Sequence, residues 1–219
     1  MKKVALVTLG CSRNETDSEE LAARLANDGW ELVTNADDAD VALINTCGFV
    51  EAAKKDSIDA VLEANSLKDG KANSLKKVVA VGCMAERYGK ELEAALPEAD
   101  GILGFDHYAD ISDRLTKILA GENIQAHAPS DRRKLLPIAP AERKQPIRST
   151  KMGEGERVLR KRLDNAPVAP LKIAAGCDRR CTFCAIPFFR GAFVSRTQDE
   201  IISEAKWLAD NGVSEIFLV

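Results

Sequence analysis

The chain has 219 residues, a formal net charge of −3, 45% hydrophobic residues and 30% charged residues. This is the composition of an ordinary folded protein, and the slight acidic excess argues against a large nucleic-acid-binding surface. No apolar run approaches the roughly eighteen residues of a membrane span, and residues 1–4 lead into a strand rather than a signal-peptide core. The sequence therefore predicts a cytoplasmic protein with no membrane partner.

The first 122 residues alternate compact apolar runs with stretches of helical periodicity. Strands are predicted at 3–8, 30–34, 41–45, 78–82 and 101–103, and helices are predicted to begin near Asp17, Val50, Ala85 and Ala109. The alternation is typical of an α/β fold with a doubly wound parallel sheet, flavodoxin-like or Rossmann-like. Neither the dinucleotide fingerprint nor the P-loop motif follows a predicted strand, which argues against a classical nucleotide site.

Three cysteines, Cys11, Cys47 and Cys83, each lie at or just past the carboxyl end of a predicted strand. Open α/β sheets bind their ligands along that edge, so the three thiols are expected to converge on one ligand. A free cysteine also packs as a small hydrophobic residue, and that interpretation stays open for each one taken alone.

Residues 123–169 are predicted to form a basic, proline-rich linker. Six of the eight prolines fall between Pro129 and Pro170, and residues 121–167 carry eleven Lys or Arg against six Asp or Glu. Two interpretations stay open for this charge, a solvated tether and direct contact with RNA phosphates. The basic residues concerned are Arg132, Arg133, Lys134, Arg160, Lys161 and Arg162.

Residues 170–219 are predicted to begin a second α/β domain. A strand at 171–175 is followed by a loop, by a helix opened by the capping box of Thr197 and Glu200, and by a strand at 213–219. This order is the first βαβ portion of a TIM-type barrel. Since the last strand has no helix to cover it, we expect a fragment that is inactive alone, with the rest of the barrel beyond residue 219.

The loop after the first of these strands carries Cys177, Cys181 and Cys184 at a C-x3-C-x2-C spacing. Thiolates bind zinc, copper(I) or iron–sulfur clusters, and a zinc site needs a fourth ligand that is missing nearby. A four-iron cluster held by three thiolates keeps one iron open for another ligand. A zinc knuckle, or a disulfide with a spare thiol, remains as an alternative, although neither explains three cysteines in a reducing compartment.

The cysteine loop resembles that of the radical S-adenosylmethionine (SAM) enzymes, and residues 172–191 are similar to the methylthiotransferases among them. The resemblance implies that Cys177, Cys181 and Cys184 hold a [4Fe-4S] cluster whose open iron binds SAM. An electron from that cluster would then release a 5′-deoxyadenosyl radical from SAM.

Three further strings resemble the amino-terminal domain of the same family, namely residues 9–14 (LGCSRN), 45–49 (NTCGF) and 82–87 (GCMAER). The resemblance implies that Cys11, Cys47 and Cys83 hold a second, auxiliary [4Fe-4S] cluster that donates or carries sulfur. For Asn14, Asn45 and Glu86, which lie in the same strings, capping or turn formation is the expectation.

Two branches of the family modify different substrates, an adenosine of transfer RNA and an aspartate of small-subunit ribosomal protein twelve. Residues 45–50, 181–187 and 190–191 resemble the ribosomal-protein branch. The resemblance implies methylthiolation of the aspartate β-carbon, with flavodoxin or ferredoxin as electron donor. The transfer-RNA enzyme, an iron–sulfur redox or sensor protein, and a zinc-binding module remain as alternatives.

Overall fold

The computed structural model describes residues 1–68, 74–129, 159–179 and 181–219. The amino-terminal part contains, in chain order, β1 (Lys3–Thr8), α1 (Ser12–Asn27), β2 (Glu31–Val33), β3 (Val41–Thr46), α2 (Glu51–Leu67), β4 (Lys77–Gly82), α3 (Cys83–Ala95), β5 (Gly101–Ile102) and α4 (Ile111–Leu119). The carboxyl-terminal part contains β6 (Val168–Leu171), β7 (Ala174–Ala175), α5 (Ile186–Arg190), β8 (Val194–Ser195), α6 (Gln198–Asp210) and β9 (Glu215–Leu218).

Strands β1 to β5 form one parallel sheet in the order β2-β1-β3-β4-β5. This is the flavodoxin-like order, and it confirms the predicted doubly wound fold. Every residue of the central strand β3 is buried. Its alternate side chains enter separate cores on the two faces of the sheet, Ile44 with Met84 on one side and Leu43 with Leu115 on the other. The central strand thus fixes the sheet edge where the cysteines lie.

Helix α1 begins at Ser12, five residues before its predicted start at Asp17. Cys11 is the extended residue before the helix, and its carbonyl oxygen accepts the first hydrogen bonds, from the N–H groups of Asn14 and Glu15. The first turn escaped the prediction because it has no apolar periodicity. The buried side chains in the first half of α1 are polar instead, namely Asn14, Thr16, Asp17, Ser18 and Glu19.

In the second part, β6 and β9 pair in parallel and α6 connects them, which confirms the predicted βαβ unit. The capping box is also confirmed, since Thr197 and Glu200 exchange side-chain-to-backbone hydrogen bonds. The first strand, however, is two short ones. The strand was predicted to begin at Leu171, yet Pro170 lies inside β6, opposite Phe217. Ala174–Ala175 form β7, which pairs antiparallel with the unpredicted β8.

The amino-terminal part contacts the carboxyl-terminal part through buried ion pairs on α1. Glu19 pairs with Arg160 and, at 3.2 Å, with Arg162, and Arg160 also reaches Glu204 of α6 at 2.8 Å. Arg160 and Arg162 form ion pairs with carboxylates of the same chain. They are therefore part of neither a solvated tether nor an RNA-binding surface. The side chain of Lys161 is exposed.

Three other basic residues of the predicted linker, Arg132, Arg133 and Lys134, lie outside the described residues. The part of the chain that the structure describes has no helix with both the length and the apolar character needed to cross a membrane.

Candidate metal centre

The sheet topology brings Cys11, Cys47 and Cys83 to one edge. Strands β1, β3 and β4 are neighbours whose ends are level, with Thr8 opposite Asn45 and Thr46 opposite Gly82. Cys11 comes three residues after β1, Cys47 directly after β3, and Cys83 directly after β4 as the first residue of α3. The prediction that the three thiols follow the carboxyl ends of neighbouring strands agrees with this arrangement.

Two glycines allow the cysteine loops to touch. Gly10 has φ +95°, and a Cβ atom added there would lie 2.7 Å from Cβ and 3.0 Å from Sγ of Cys47. A Cβ atom on Gly48 would lie 2.8 Å from the carbonyl carbon of Cys83. Side chains at these positions would push the loops apart, so both glycines are required for the close approach.

Asn14 and Asn45 hold these loops with buried side-chain hydrogen bonds. The Asn14 amide donates to the carbonyl oxygens of Leu9 at 2.9 Å and Thr46 at 3.1 Å, while its Oδ1 lies 3.3 Å from Sγ of Cys83. The Asn45 amide donates to the Asn14 carbonyl oxygen at 2.8 Å. The expected capping or turn roles are wrong for these two residues: Asn14 connects the ends of β1 and β3, and Asn45 connects β3 to α1.

Arg190, the last residue of α5, enters this site from the second part of the chain. Its Nη2 lies 3.0 Å and its Nε 3.3 Å from Sγ of Cys83. Nη2 also donates to Oδ1 of Asn14 at 2.8 Å and to Oδ2 of Asp17 at 3.0 Å. The side chain is 8% exposed, and its guanidinium lies over the ring of Phe105 at 5.0 Å.

In the sequence, Arg190 stands out only as part of a family string, and this contact was not predicted. The residue gives no local signal, since one arginine at the end of a five-residue helix looks like any surface arginine. Its partners come from α1 and α3, more than a hundred residues earlier in the chain. Only the packing of the two parts reveals the contact.

The ionisable groups around Cys83 have shifted pKa values with identifiable causes. Burial raises the pKa of the Cys83 thiol, and the opposing charge of Arg190 does not overcome it. For Asp17, burial also favours a higher pKa, but Lys172 at 2.6 Å and Arg190 outweigh it and the pKa is lowered. Metal binding at Cys83 would therefore have to displace the thiol proton, as metal–thiolate formation generally does.

The second cysteine trio lies in the loop between β7 and α5. The Cys177 N–H donates to the Gly191 carbonyl oxygen at 2.9 Å, and the Cys184 N–H to the Cys181 carbonyl oxygen at 3.2 Å. The Phe193 N–H donates to Oδ1 of Asp178 at 2.9 Å and closes the loop from its other side. Cys181 is exposed, and Cys177 and Cys184 are half-buried, so this trio is open to reagents from solution.

Distances between ligand atoms test the zinc alternative. Sulfur atoms around a tetrahedral zinc ion lie about 3.8 Å apart, which follows from Zn–S bonds of about 2.3 Å. Among the described residues, one set of three potential metal ligands has all its ligand atoms within 4.8 Å of one another. It consists of Glu86, Asp106 and His127. In the part of the chain that the structure describes, neither cysteine trio has its three sulfur atoms this close together, so the zinc alternative gains no support from the geometry.

Glu86 has contacts other than the expected capping or turn role. Its Oε1 lies 3.2 Å from Nε2 of His127, and its Oε2 accepts from the Phe105 N–H at 2.7 Å. These contacts join α3 to the segments around residues 105 and 127, and they explain why this carboxylate is buried.

Comparisons with known proteins agree with this geometry. Residues 3–104 match the family described as "Uncharacterized protein family UPF0004", and residues 171–219 match the radical SAM superfamily. The chain is 62% identical to the "Ribosomal protein uS12 methylthiotransferase RimO" of Kineococcus radiotolerans and 61% identical to that of Streptomyces coelicolor. Both alignments cover 100% of this chain, and they cover 46% and 47% of the relatives.

A solved structure has a similar fold. It is the radical SAM methyltransferase TsrM from Kitasatospora setae, with a TM-score of 0.60 and 14% identity, covering 100% of this chain and 47% of that one. At this identity the likeness concerns the fold alone.

The βαβ unit with its cysteine loop is that of the radical SAM superfamily, which implies SAM and an iron–sulfur cluster as cofactors. The chain belongs to the radical SAM methylthiotransferase family, and the relatives that it matches at about 60% identity are named ribosomal protein uS12 methylthiotransferases. It spans a little under half the length of the curated relatives it matches.

Proposed function

We propose that the protein adds a methylthio group to the β-carbon of an aspartate in ribosomal protein uS12, using SAM and two [4Fe-4S] clusters. The observation that carries this proposal is the identity of about 60% to uS12 methylthiotransferases along the whole chain, through both cysteine trios. The geometry supports it, because each trio is built on a sheet edge or a strand-end loop, where α/β folds place their ligands.

Each trio would hold one cluster. Cys177, Cys181 and Cys184 would leave one iron open for SAM, and Cys11, Cys47 and Cys83 would hold the auxiliary cluster. When bound, these groups supply a one-electron reductant, a SAM-derived radical able to take hydrogen from an unactivated carbon, and a site for the sulfur to be transferred. The aspartate β-carbon has no acidic proton, so a carboxylate base alone would not suffice.

The protein's own residues would position the cysteine loops and exclude water from the buried side of the auxiliary site. Asn14 and Asn45 hold the loops at the ends of β1 and β3, while Arg190, which lies over the ring of Phe105, contacts Cys83. Cys11, by contrast, is exposed, so the auxiliary site keeps one side open toward an incoming substrate. The exposed loop of the other trio gives SAM access in the same way.

The partners follow from the chemistry. The substrate would be uS12, free or in the small subunit, and the electron donor a flavodoxin or ferredoxin. The compartment would be the cytoplasm, where thiols stay reduced; all six cysteines are free. Direct contact with RNA stays open for the linker, now without Arg160 and Arg162.

Metal content after anaerobic reconstitution tests the proposal. We expect about eight irons and as many sulfides per chain, which is two four-iron clusters. Replacing Cys11, Cys47 and Cys83 by Ala, or Cys177, Cys181 and Cys184 by Ala, should each remove half. The chain spans less than half the length of its relatives, but it contains both cysteine trios. Iron content is therefore measured first and turnover second.

Each alternative predicts a different result. A zinc module would contain zinc and no iron, which would overturn the proposal. A redox or sensor protein would hold eight irons but cleave no SAM on reduction. A transfer-RNA enzyme would modify RNA and leave uS12 unchanged, whereas the proposal expects uS12 to gain the mass of one methylthio group in place of a hydrogen.

A further inference from the structure

Arg190 connects the loop of one cysteine trio with a cysteine of the other. We propose that Arg190 is a positioning residue whose guanidinium hydrogen-bonds to the Cys83 thiolate and raises the reduction potential of the group held by Cys11, Cys47 and Cys83. This inference rests on the proposed function, because it assumes that an iron–sulfur cluster is bound there.

The guanidinium is held in a defined orientation. Two of its nitrogens lie 3.0 and 3.3 Å from Sγ of Cys83, and Nη2 also donates to the side chains of Asn14 and Asp17. Asp17 is itself fixed by Lys172, 2.6 Å away. The ring of Phe105 covers one face of the guanidinium plane. A side chain with this many anchors keeps its place when the sulfur becomes a metal ligand.

The physical effect has a definite sign. A hydrogen bond to a ligand sulfur withdraws electron density from the iron and stabilises the reduced cluster, which raises its potential. The positive charge acts in the same direction, more strongly in a buried site than in water, and Asp17 offsets only part of it. Because arginine stays protonated at all accessible pH values, the effect should not depend on pH.

The position of Arg190 in the chain gives the contact a second consequence. Arg190 is six residues after Cys184, at the end of α5, and Gly191 next to it accepts from the Cys177 N–H. The peptide that folds around the second trio therefore carries the hydrogen-bond donor for the first. Folding of the loop that carries Cys177, Cys181 and Cys184 is thereby linked to the reduction potential of the group held by Cys11, Cys47 and Cys83.

The test uses the protein with Cys177, Cys181 and Cys184 replaced by Ala, so that one cluster remains. Arg190→Gln removes the charge, and Arg190→Lys keeps it while losing the paired N–H donors. The matched control is Arg87→Gln, since Arg87 lies four residues after Cys83 but donates to the Gly48 carbonyl oxygen instead of to a sulfur atom. Each protein is reconstituted anaerobically, its iron is counted, and its midpoint potential is titrated by electron paramagnetic resonance.

We expect about four irons in each protein and a lower potential in the Arg190 variants. For Arg190→Gln, the ratio of reduced to oxidised cluster at fixed ambient potential should fall about tenfold, which is 59 mV for a one-electron couple. The ratio should fall less for Arg190→Lys, and least for Arg87→Gln, which removes a charge but no hydrogen bond to sulfur.

Three results would overturn the inference. An unchanged or higher potential with four irons bound overturns it and leaves the proposed function intact. Loss of iron from both Arg190 variants also overturns it, because Arg190 would then serve binding rather than potential. No iron in the parent protein overturns the inference and the proposed function together.

Discussion

Arg160 follows Glu19 by 141 residues, yet the two side chains pair where each is almost completely buried. Arg160 also donates to the Pro170 carbonyl oxygen at 2.7 Å and pairs with Glu204, so one guanidinium joins α1, β6 and α6. Without Arg160, Glu19 would keep only Arg162 and Glu204 only Arg196, in a medium of low polarity where a lost charge partner is costly. This arginine therefore holds the two parts of the chain together.

Replacing Arg160 by Met should destabilise the protein by about 3 kcal/mol, the low end for a broken buried pair, because Glu19 and Glu204 lose their shared partner but keep Arg162 and Arg196. Thermal unfolding and limited proteolysis between the two parts would measure the effect. The matched control is Lys161→Gln. Because the Lys161 side chain is exposed, this substitution should change stability by less than about 0.5 kcal/mol. Equal effects of the two substitutions would contradict the assignment of Arg160 to the interface.

Replacing Gly10 by Ala should cost the protein about half of its iron. The new Cβ atom would meet Cβ and Sγ of Cys47 and displace that loop. Gly29→Ala is the control, since Gly29 has a similar φ of +83° but nothing within 4 Å of an added Cβ atom. Both variants carry the backbone cost of about 1 to 2 kcal/mol for a left-handed residue, and only Gly10→Ala should change the iron content. Iron retained in full by Gly10→Ala would contradict this account of the site.

Asp100 should make stability depend on pH in the acid range. Burial alone would raise the pKa of this carboxyl, but Lys68, the Val78 N–H and Lys77 outweigh burial and lower it. The folded carboxyl thus titrates below the unfolded value of about 3.9, so its contribution is complete above that pH and is lost as the pH falls through the folded pKa.

Asp100→Asn should therefore lower stability at neutral pH by about 1.5 to 3 kcal/mol, the value of hydrogen bonds to a charged group. The difference from the parent should shrink as the pH falls below about 4. Urea unfolding at several pH values would measure it. The exposed Asp56 provides the control, because Asp56→Asn should show no comparable loss. A difference that stays constant with pH would exclude the ionic contribution.

Thr197→Ala should destabilise α6 by about 0.5 to 2 kcal/mol, since the hydroxyl accepts from the Glu200 N–H at the start of the helix. Faster amide hydrogen exchange in the first turn of α6 would report the loss. Thr197→Ser keeps the hydroxyl and should keep most of the protection. If serine and alanine were equally harmful, the capping bond would not be the cause.

Much of the fold could be predicted because its signals are local. The alternation of apolar runs and helical periodicity indicated the parallel sheet, and the capping box located the start of α6. The positions of Cys11, Cys47 and Cys83 after three strands were enough to bring them to one edge. Where the prediction was wrong, as at the start of α1 and at Pro170 in β6, the deciding contacts come from distant segments.

The sequence by itself determined the class of fold, the two cysteine trios and the family, because periodicity and motif spacing are properties of neighbouring residues. Only the tertiary structure decided that Arg190 reaches Cys83 and that Arg160 is an interior ion partner rather than a linker charge. The physical reason is that a side chain's role depends on what surrounds it after folding. For these two arginines, the deciding partners lie more than a hundred residues away in the chain, Glu19 for Arg160 and Cys83 for Arg190.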